Sequence, residues 1–263
     1  MTNSGDSPRF VSRYVDHIPV CYVMPVPAVA NNQLVIWIPP FSGTKEAMKP
    51  YLEELAVVGF TALSFDPWQH GERSTEPSNE LWQRVFSNFR QYMWPILGQT
   101  ALDSLRVIDW AIDNLNVAEQ VRIGGISMGG DIAVAAAGID KRIQTVAAIV
   151  STPDWLRPGM SDFQNPPQIM PPGAPDAYAK YFYNHLNPLT HLDSFAHCPA
   201  ICFECGEIDT HVPPDGALRF KNALKETYHS HPDRLQVTLH RGLGHTRSVD
   251  PMWHNCLDWF RHY

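Results

Sequence analysis

The chain has 263 residues, 44% of them hydrophobic and 18% charged, with a formal net charge of −7. This is the composition of a globular protein long enough to bury a substantial core. Its 20 basic residues are scattered among 27 acidic ones, which argues against a nucleic-acid or anionic-membrane surface, because both demand clustered Lys and Arg. No apolar run is long enough to span a bilayer and residues 1–8 are polar, unlike a secretory leader, so the chain reads as a cytoplasmic protein.

In chain order, residues 10–15 and 20–24 are two β-type runs around Asp16-His17-Ile18-Pro19, which predicts an N-terminal antiparallel hairpin. Leu34-Val35-Ile36-Trp37-Ile38 is a continuous apolar run, as expected of a strand buried on both faces of a parallel sheet. Met48, Tyr51, Leu52, Leu55 and Val58 recur at helical spacing before Gly59, and a strand is expected at 61–65. The polar, turn-rich stretch 66–79 is a long loop. Helices follow at 81–93, rich in Trp and Phe, and at 99–114, where Leu102, Leu105, Ile108 and Ile112 form an apolar stripe.

A strand at 120–124 and a helix at 128–137 flank Gly125-Ile126-Ser127-Met128-Gly129. A further strand at 145–150 leads into a Pro-rich, aromatic segment, 152–188, that breaks the alternation. Regular order resumes with strand 200–204, helix 215–229, strand 235–241 and helix 251–261. Alternating strands and helices predict one α/β domain over residues 1–263 with a mostly parallel sheet and helices on both faces. Segment 152–188 is then a cap-like insertion over the carboxyl ends of the strands.

Five cysteines, an odd number, do not suggest a disulfide framework. Cys202 and Cys205 have C-x-x-C spacing, but residues three apart on a strand point to opposite faces and no second ligand pair accompanies them. They read as structural thiols.

The chemistry centres on Ser127. A serine on a tight strand-to-helix turn needs small neighbours two positions to either side, because strand and helix approach closely there, and G-x-S-x-G supplies them. A serine hydroxyl also needs a base, and the base needs a third group to fix its tautomer. Of twelve histidines, His245 stands out in Gly242-Leu243-Gly244-His245 at the carboxyl end of a strand. For the carboxylate, Gly206-Glu207-Ile208-Asp209 follows strand 200–204. Asp209 is preferred over its neighbour Glu207 and over Asp154, because it yields the chain order Ser, Asp, His expected of this architecture. The oxyanion of a tetrahedral intermediate requires two backbone N–H groups. One is expected from Met128, at the positive end of the following helix. In the loop after strand 34–38, Pro39 and Pro40 have no N–H to give, so Phe41 is the natural second donor, with Ser42 next.

On these residues the chain resembles the α/β-hydrolases, and most closely the dienelactone-hydrolase and prolyl-oligopeptidase-like esterases. The similarity runs from about Leu34 to the C-terminus and includes Phe41-Ser42-Gly43-Thr44-Lys45-Glu46, Asp66 with His70-Gly71-Glu72-Arg73-Ser74, the nucleophile turn, the loop from Gly206 to Pro213 and the His245 loop. Pro39-Pro40 departs from the His-Gly pair common before the oxyanion residue. His70-Gly71 reads as a loop-shaping element rather than a catalytic one.

The resemblance and the chemistry together imply a serine hydrolase cleaving a carboxylic ester of a small apolar or aromatic molecule, with no metal and no organic cofactor. Ser42 and Trp155 are the expected substrate contacts, while Trp68, Trp82 and Trp94 divide between core and pocket. The same triad also serves C–C hydrolases, thioesterases and acyltransferases, and the fold can survive as a non-catalytic ligand-binding protein. A peptidase is less expected, as no propeller or gating domain precedes the hydrolase part. The expected partner is a small-molecule substrate, and the N-terminal hairpin offers an edge for a homodimer.

Overall fold

The computed structural model describes residues 9–162, 165, 167–245 and 249–263; the polar N-terminal stretch lies outside them. Eight strands form one sheet in the order β1-β2-β4-β3-β5-β6-β7-β8. β1 (Arg9–Val15) and β2 (Ile18–Met24) are the expected hairpin, with Val15 opposite Ile18. β2 pairs antiparallel with β4 (Thr61–Phe65). From there β3 (Leu34–Ile38), β5 (Val121–Ile126), β6 (Ile143–Ile149), β7 (Ala200–Gly206) and β8 (Leu235–His240) continue in parallel.

β3 is apolar throughout, and the other central strands are largely so, because helices cover both faces of the sheet. On β3, Leu34, Ile36 and Ile38 face one half of the core and Val35 and Trp37 the other. The second half is closed by α1 (Lys49–Val57) and α7 (Asp250–His262), which set Trp253 4.9 Å and Phe260 6.1 Å from the Trp37 ring. Each such aromatic removed from water stabilises the fold by about 1.5–3 kcal/mol. The first half is closed by α3 (Phe89–Asn114), α4 (Met128–Ile139) and α6 (Asp215–Ala223). Cys202 and Cys205 fall in opposite halves, and all five thiols are free.

The helices before the nucleophile differ from expectation. Instead of helices at 81–93 and 99–114, α2 (Ser78–Ser87) stops at Asn88, and α3 runs 26 residues with Pro95 inside it. Asn88 leaves helical geometry at φ −152° and ψ 82°, and its side chain accepts from the Gln91 N–H at 3.4 Å, which starts a new helix there. A proline costs a helix one hydrogen bond, but Trp94, Ile96 and Leu97 around it are all buried, and that packing outweighs the loss. Segment 152–188 contains α5 (Ala177–Leu186), capped by Asp176, whose side chain accepts from the Ala179 N–H at 2.8 Å. Among the described residues no helix is long and apolar enough to cross a membrane.

Candidate active site

Parallel pairing brings the ends of β3, β5, β6, β7 and β8 to one edge, with Ile38 opposite Gly125 and Ile126 opposite Ile149. At this edge Ser127 follows β5 at φ 53° and ψ −118°, a left-handed backbone costly for a residue with a side chain. The turn is held from both sides. The Ser127 N–H donates to Ile149 O at 2.7 Å, and its carbonyl accepts from the Gly130 N–H at 2.9 Å and from Ser151 Oγ at 2.9 Å. The flanking glycines are there for space: a Cβ on Gly129 would stand 2.2 Å from Ile38 O, and one on Gly125 2.5 Å from the same atom.

Ser127 Oγ lies 2.9 Å from His245 Nε2, and His245 Nδ1 lies 2.8 Å from Asp209 Oδ2. A carboxylate only accepts, so Nδ1 carries the proton and Nε2 presents its lone pair to the serine hydroxyl. The other oxygen of Asp209 accepts the N–H groups of His211 and Val212 at 2.9 and 2.8 Å, which fixes the carboxylate plane. The rival acids are engaged elsewhere. Glu207 accepts from the Gly242 N–H at 3.0 Å, and Asp154 pairs with Arg219 at 2.7 Å. The two loops also brace each other, the Ile208 N–H donating to Leu243 O at 3.1 Å.

Met128 is the first residue of α4, and the first N–H groups of a helix have no acceptor within it. The 39–43 loop lies against that helix, as the contact of Gly129 with Ile38 O and Pro39 O requires. Within this loop the Gly43 N–H donates to Pro40 O at 2.9 Å and Ser42 takes φ 64°. The Phe41 ring packs edge-on to His70 at 5.0 Å and to Phe86 at 5.5 Å. Burial holds His70 neutral, its titration pushed down to about 4, and Nδ1–H donates to Trp68 O at 2.9 Å. The rest of that loop is built on Asp66, which accepts from the Lys45 N–H at 2.9 Å, the Glu72 N–H at 3.0 Å and Lys45 Nζ at 3.2 Å. Arg73 pairs with buried Asp103 at 2.7 Å behind it.

A cleft of about 290 Å³ opens at Ser127, lined by Pro40, Phe41, Ser42, Trp82, Phe86, Ile126, His211 and His245. No Asp, Glu, Lys or Arg is among these described lining residues. A roomier groove of about 430 Å³ lies between Leu218, Tyr228 and Leu235, and neither Ser127 nor His245 lines it. Ser42 lines this cleft and Trp155 does not. Trp155 is fully buried, its backbone N–H donating to Asn187 Oδ1 and its backbone carbonyl accepting from Trp94 Nε1, each at 2.9 Å. The cleft tryptophan is Trp82, one helical turn before Phe86 on α2, their rings 4.8 Å apart. His211 and Phe86 also line the cleft, and no motif in the sequence marks either. The i, i+4 spacing of Trp82 and Phe86 could have revealed a shared face; His211 carried no comparable signal.

The prolyl oligopeptidase family profile matches residues 87–263. A stretch of 106 residues is 30% identical to YtaP of Bacillus subtilis (strain 168), covering 40% of this chain and 34% of that protein, so the chain matches only about a third of that relative's length. Among solved structures, TT1662 from Thermus thermophilus superposes with a TM-score of 0.74 at 21% identity over 97% of both chains. Est1E from Butyrivibrio proteoclasticus, solved with ferulic acid bound, does so with a TM-score of 0.65 at 17% identity over 96% of this chain and 98% of that one. At such identities the two structures speak for the fold, which is that of the α/β-hydrolases. With the family profile spanning two thirds of the chain, including strands β5 to β8 and the whole C-terminal half, the chain belongs to the prolyl oligopeptidase family, within the α/β-hydrolase superfamily of serine hydrolases.

Proposed function

We propose that this protein hydrolyses carboxylic esters of small, uncharged, apolar or aromatic molecules through an acyl-enzyme. The observation that carries the reading is the Ser127–His245–Asp209 hydrogen-bond chain opening into a cleft walled by Phe41, Trp82 and Phe86, with no Asp, Glu, Lys or Arg among its described lining residues. In the proposed cycle His245 Nε2 takes the Ser127 proton as Oγ attacks the ester carbonyl. The Phe41 and Met128 N–H groups receive the oxyanion, and His245 returns the proton to the departing alcohol. Water, deprotonated by the same nitrogen, then attacks the acyl-serine and releases the acid. Asp209 keeps the imidazole in the required tautomer and offsets its charge while it is protonated.

Peptide bonds are the competing substrate, since the family is named for them. The cleft favours esters, because among the described residues no charged group lines it to hold a peptide terminus, and Est1E was solved with an aromatic acid bound on the same fold. The test is turnover of short p-nitrophenyl esters by the wild type and Ser127→Ala, alongside matching acyl-amino-acid anilides. Ester turnover that disappears with Ser127 supports the reading. Equal rates for the two proteins, or a clear preference for the anilides, would refute it.

A further inference from the structure

The outward face of α6 carries a feature that ester chemistry does not use. Leu218, Lys221, Asn222 and Lys225 are three and four residues apart, so they share one side of the helix and of the turn that continues it. They line the groove of about 430 Å³, which Tyr228, Pro232 and Leu235, at the start of β8, complete. Its floor is apolar. Tyr228 and Leu235 are each only 2% exposed, and the Tyr228 hydroxyl donates to Pro199 O at 2.8 Å, so the ring rather than the oxygen is left to the groove. Leu218 is 43% exposed beside it, and a cavity of this volume is of the size that holds small organic ligands.

The charges around the groove are of one sign. Among the described residues neither the Lys221 nor the Lys225 ammonium has an ion-pair partner. Arg219, on the same helix, shows the contrast, its guanidinium held by Asp154 and Asp215 at 2.7 and 3.0 Å. No Asp or Glu is among the described lining residues, and nearby Asp233 accepts from the Tyr263 hydroxyl at 2.9 Å. Apolar surface beside two ammonium groups is complementary to an anion with a hydrocarbon body. A second copy of the chain fits poorly, because a self-complementary interface centred here would set lysine against lysine. A nucleic acid would need a longer basic track than two side chains.

We propose that this groove is a binding site for small carboxylates with an apolar tail, the tail lying on Leu218, Tyr228 and Leu235 and the carboxylate between Lys221 and Lys225. The site is separate from the cleft at Ser127, and the proposal stands without the ester reading, since it concerns binding rather than turnover.

The experiment is calorimetric titration of the full chain at an ionic strength of about 0.01 M, where screening is weak. The ligands are octanoate, its neutral analogue octan-1-ol, its cationic analogue octylammonium, and acetate, which has the charge without the tail. Octanoate should bind at least about tenfold more tightly than octan-1-ol, the worth of two exposed ion pairs acting together, and acetate and octylammonium more weakly than either. Both lysines are exposed, so their substitution leaves the fold intact. In Lys221→Gln/Lys225→Gln, octanoate should fall to the affinity of octan-1-ol, which itself stays unchanged. Lys221→Arg/Lys225→Arg, which keeps both charges, should hold octanoate within about threefold of wild type. Octanoate binding that survives the glutamine substitutions places the ligand elsewhere and overturns the proposal, as do equal affinities for octanoate and octan-1-ol, or no octanoate binding below about 10 mM. A dimer that Leu218→Glu dissociates in sedimentation equilibrium gives the groove to a second copy and overturns it as well. None of these outcomes bears on ester turnover at Ser127.

Discussion

Replacing Asp209 by Asn tests the proposed relay with almost no change of shape. One oxygen of the carboxylate faces the N–H groups of His211 and Val212, and the other faces His245 Nδ1. Asparagine has a single acceptor oxygen, and two backbone donors claim it, because an amide NH2 in that place would confront both. The NH2 group must then face His245 Nδ1, which can only accept it. The proton moves to Nε2, and the imidazole can no longer receive one from Ser127 Oγ, 2.9 Å away. The expected loss in kcat at neutral pH is about 10⁴-fold, or roughly 5 kcal/mol of transition-state stabilisation. Stability should fall by only about 1 kcal/mol, since the backbone hydrogen bonds persist. Ester turnover measured beside a thermal melt separates the two effects. A folded Asp209→Asn protein within tenfold of wild-type kcat would refute the tautomer argument and demote Asp209 to a loop anchor.

Two further outcomes follow from buried polar groups. His70 and His211 each titrate near 4 when folded, against about 6.5 when unfolded. Between those values the unfolded chain binds more protons than the folded one, so stability is complete above about pH 6.5 and falls as pH drops toward 4, by roughly 3 kcal/mol per histidine. Urea melts from pH 7 to 4 should show the decline, and His70→Leu should flatten it; parallel wild-type and variant slopes would contradict the assignment. The second outcome concerns Asp131, which is fully buried on α4 and paired with Arg157, itself stacked over the Phe89 ring at 5.1 Å. Burial pushes the Asp131 carboxyl up against the pull of that guanidinium. Arg157→Met strands the carboxylate and should destabilise the protein by about 3–5 kcal/mol, a fall in Tm on the order of 10 °C. A Tm within 2 °C of wild type, roughly a shift under 1 kcal/mol, would show that the pair does not hold the fold.

The parts of the molecule legible in the sequence are those whose cause is local. A strand such as Leu34–Ile38, buried on both faces, reads as a continuous apolar run, and strands alternating with helices specify a mostly parallel sheet. The turn at Ser127 announces itself because Gly125 and Gly129 have no room for a Cβ. The acid and base loops follow strands whose ends converge, so Asp209 and His245 could be brought to Ser127 by counting strands. What was not legible depends on contacts across the chain. Trp155 sits in a loop after a strand at the right edge, yet Asn187, beyond the unforeseen α5, and Trp94 on α3 draw it inward. His211 stands within the very loop that supplies the acid. Its tautomer, however, is set by a carbonyl fifty residues earlier, and no local pattern encodes that.

The short segment from Thr152 to Ser161 is bonded to two parts of the site at once. Its first N–H, from Thr152, donates to Asp131 Oδ1 at 2.7 Å, and Arg157 grips the same carboxylate, on the helix that begins one residue after Ser127. Its last residue, Ser161, is bonded to Thr210 and His211, on the loop that carries Asp209. One run of ten residues therefore ties the helix after Ser127 to the loop that carries Asp209 by polar bonds that are mostly shielded from water, where each is stronger than at the surface. Reactive groups must be held to within about half an ångström, and side chains on separate loops meet that demand only when the loops are fastened to one another. Substitutions in this segment should thus alter substrate choice and catalytic geometry together, whereas changes to Trp82 or Phe86 on α2, which has no hydrogen bond to either loop among the described residues, should alter substrate choice alone.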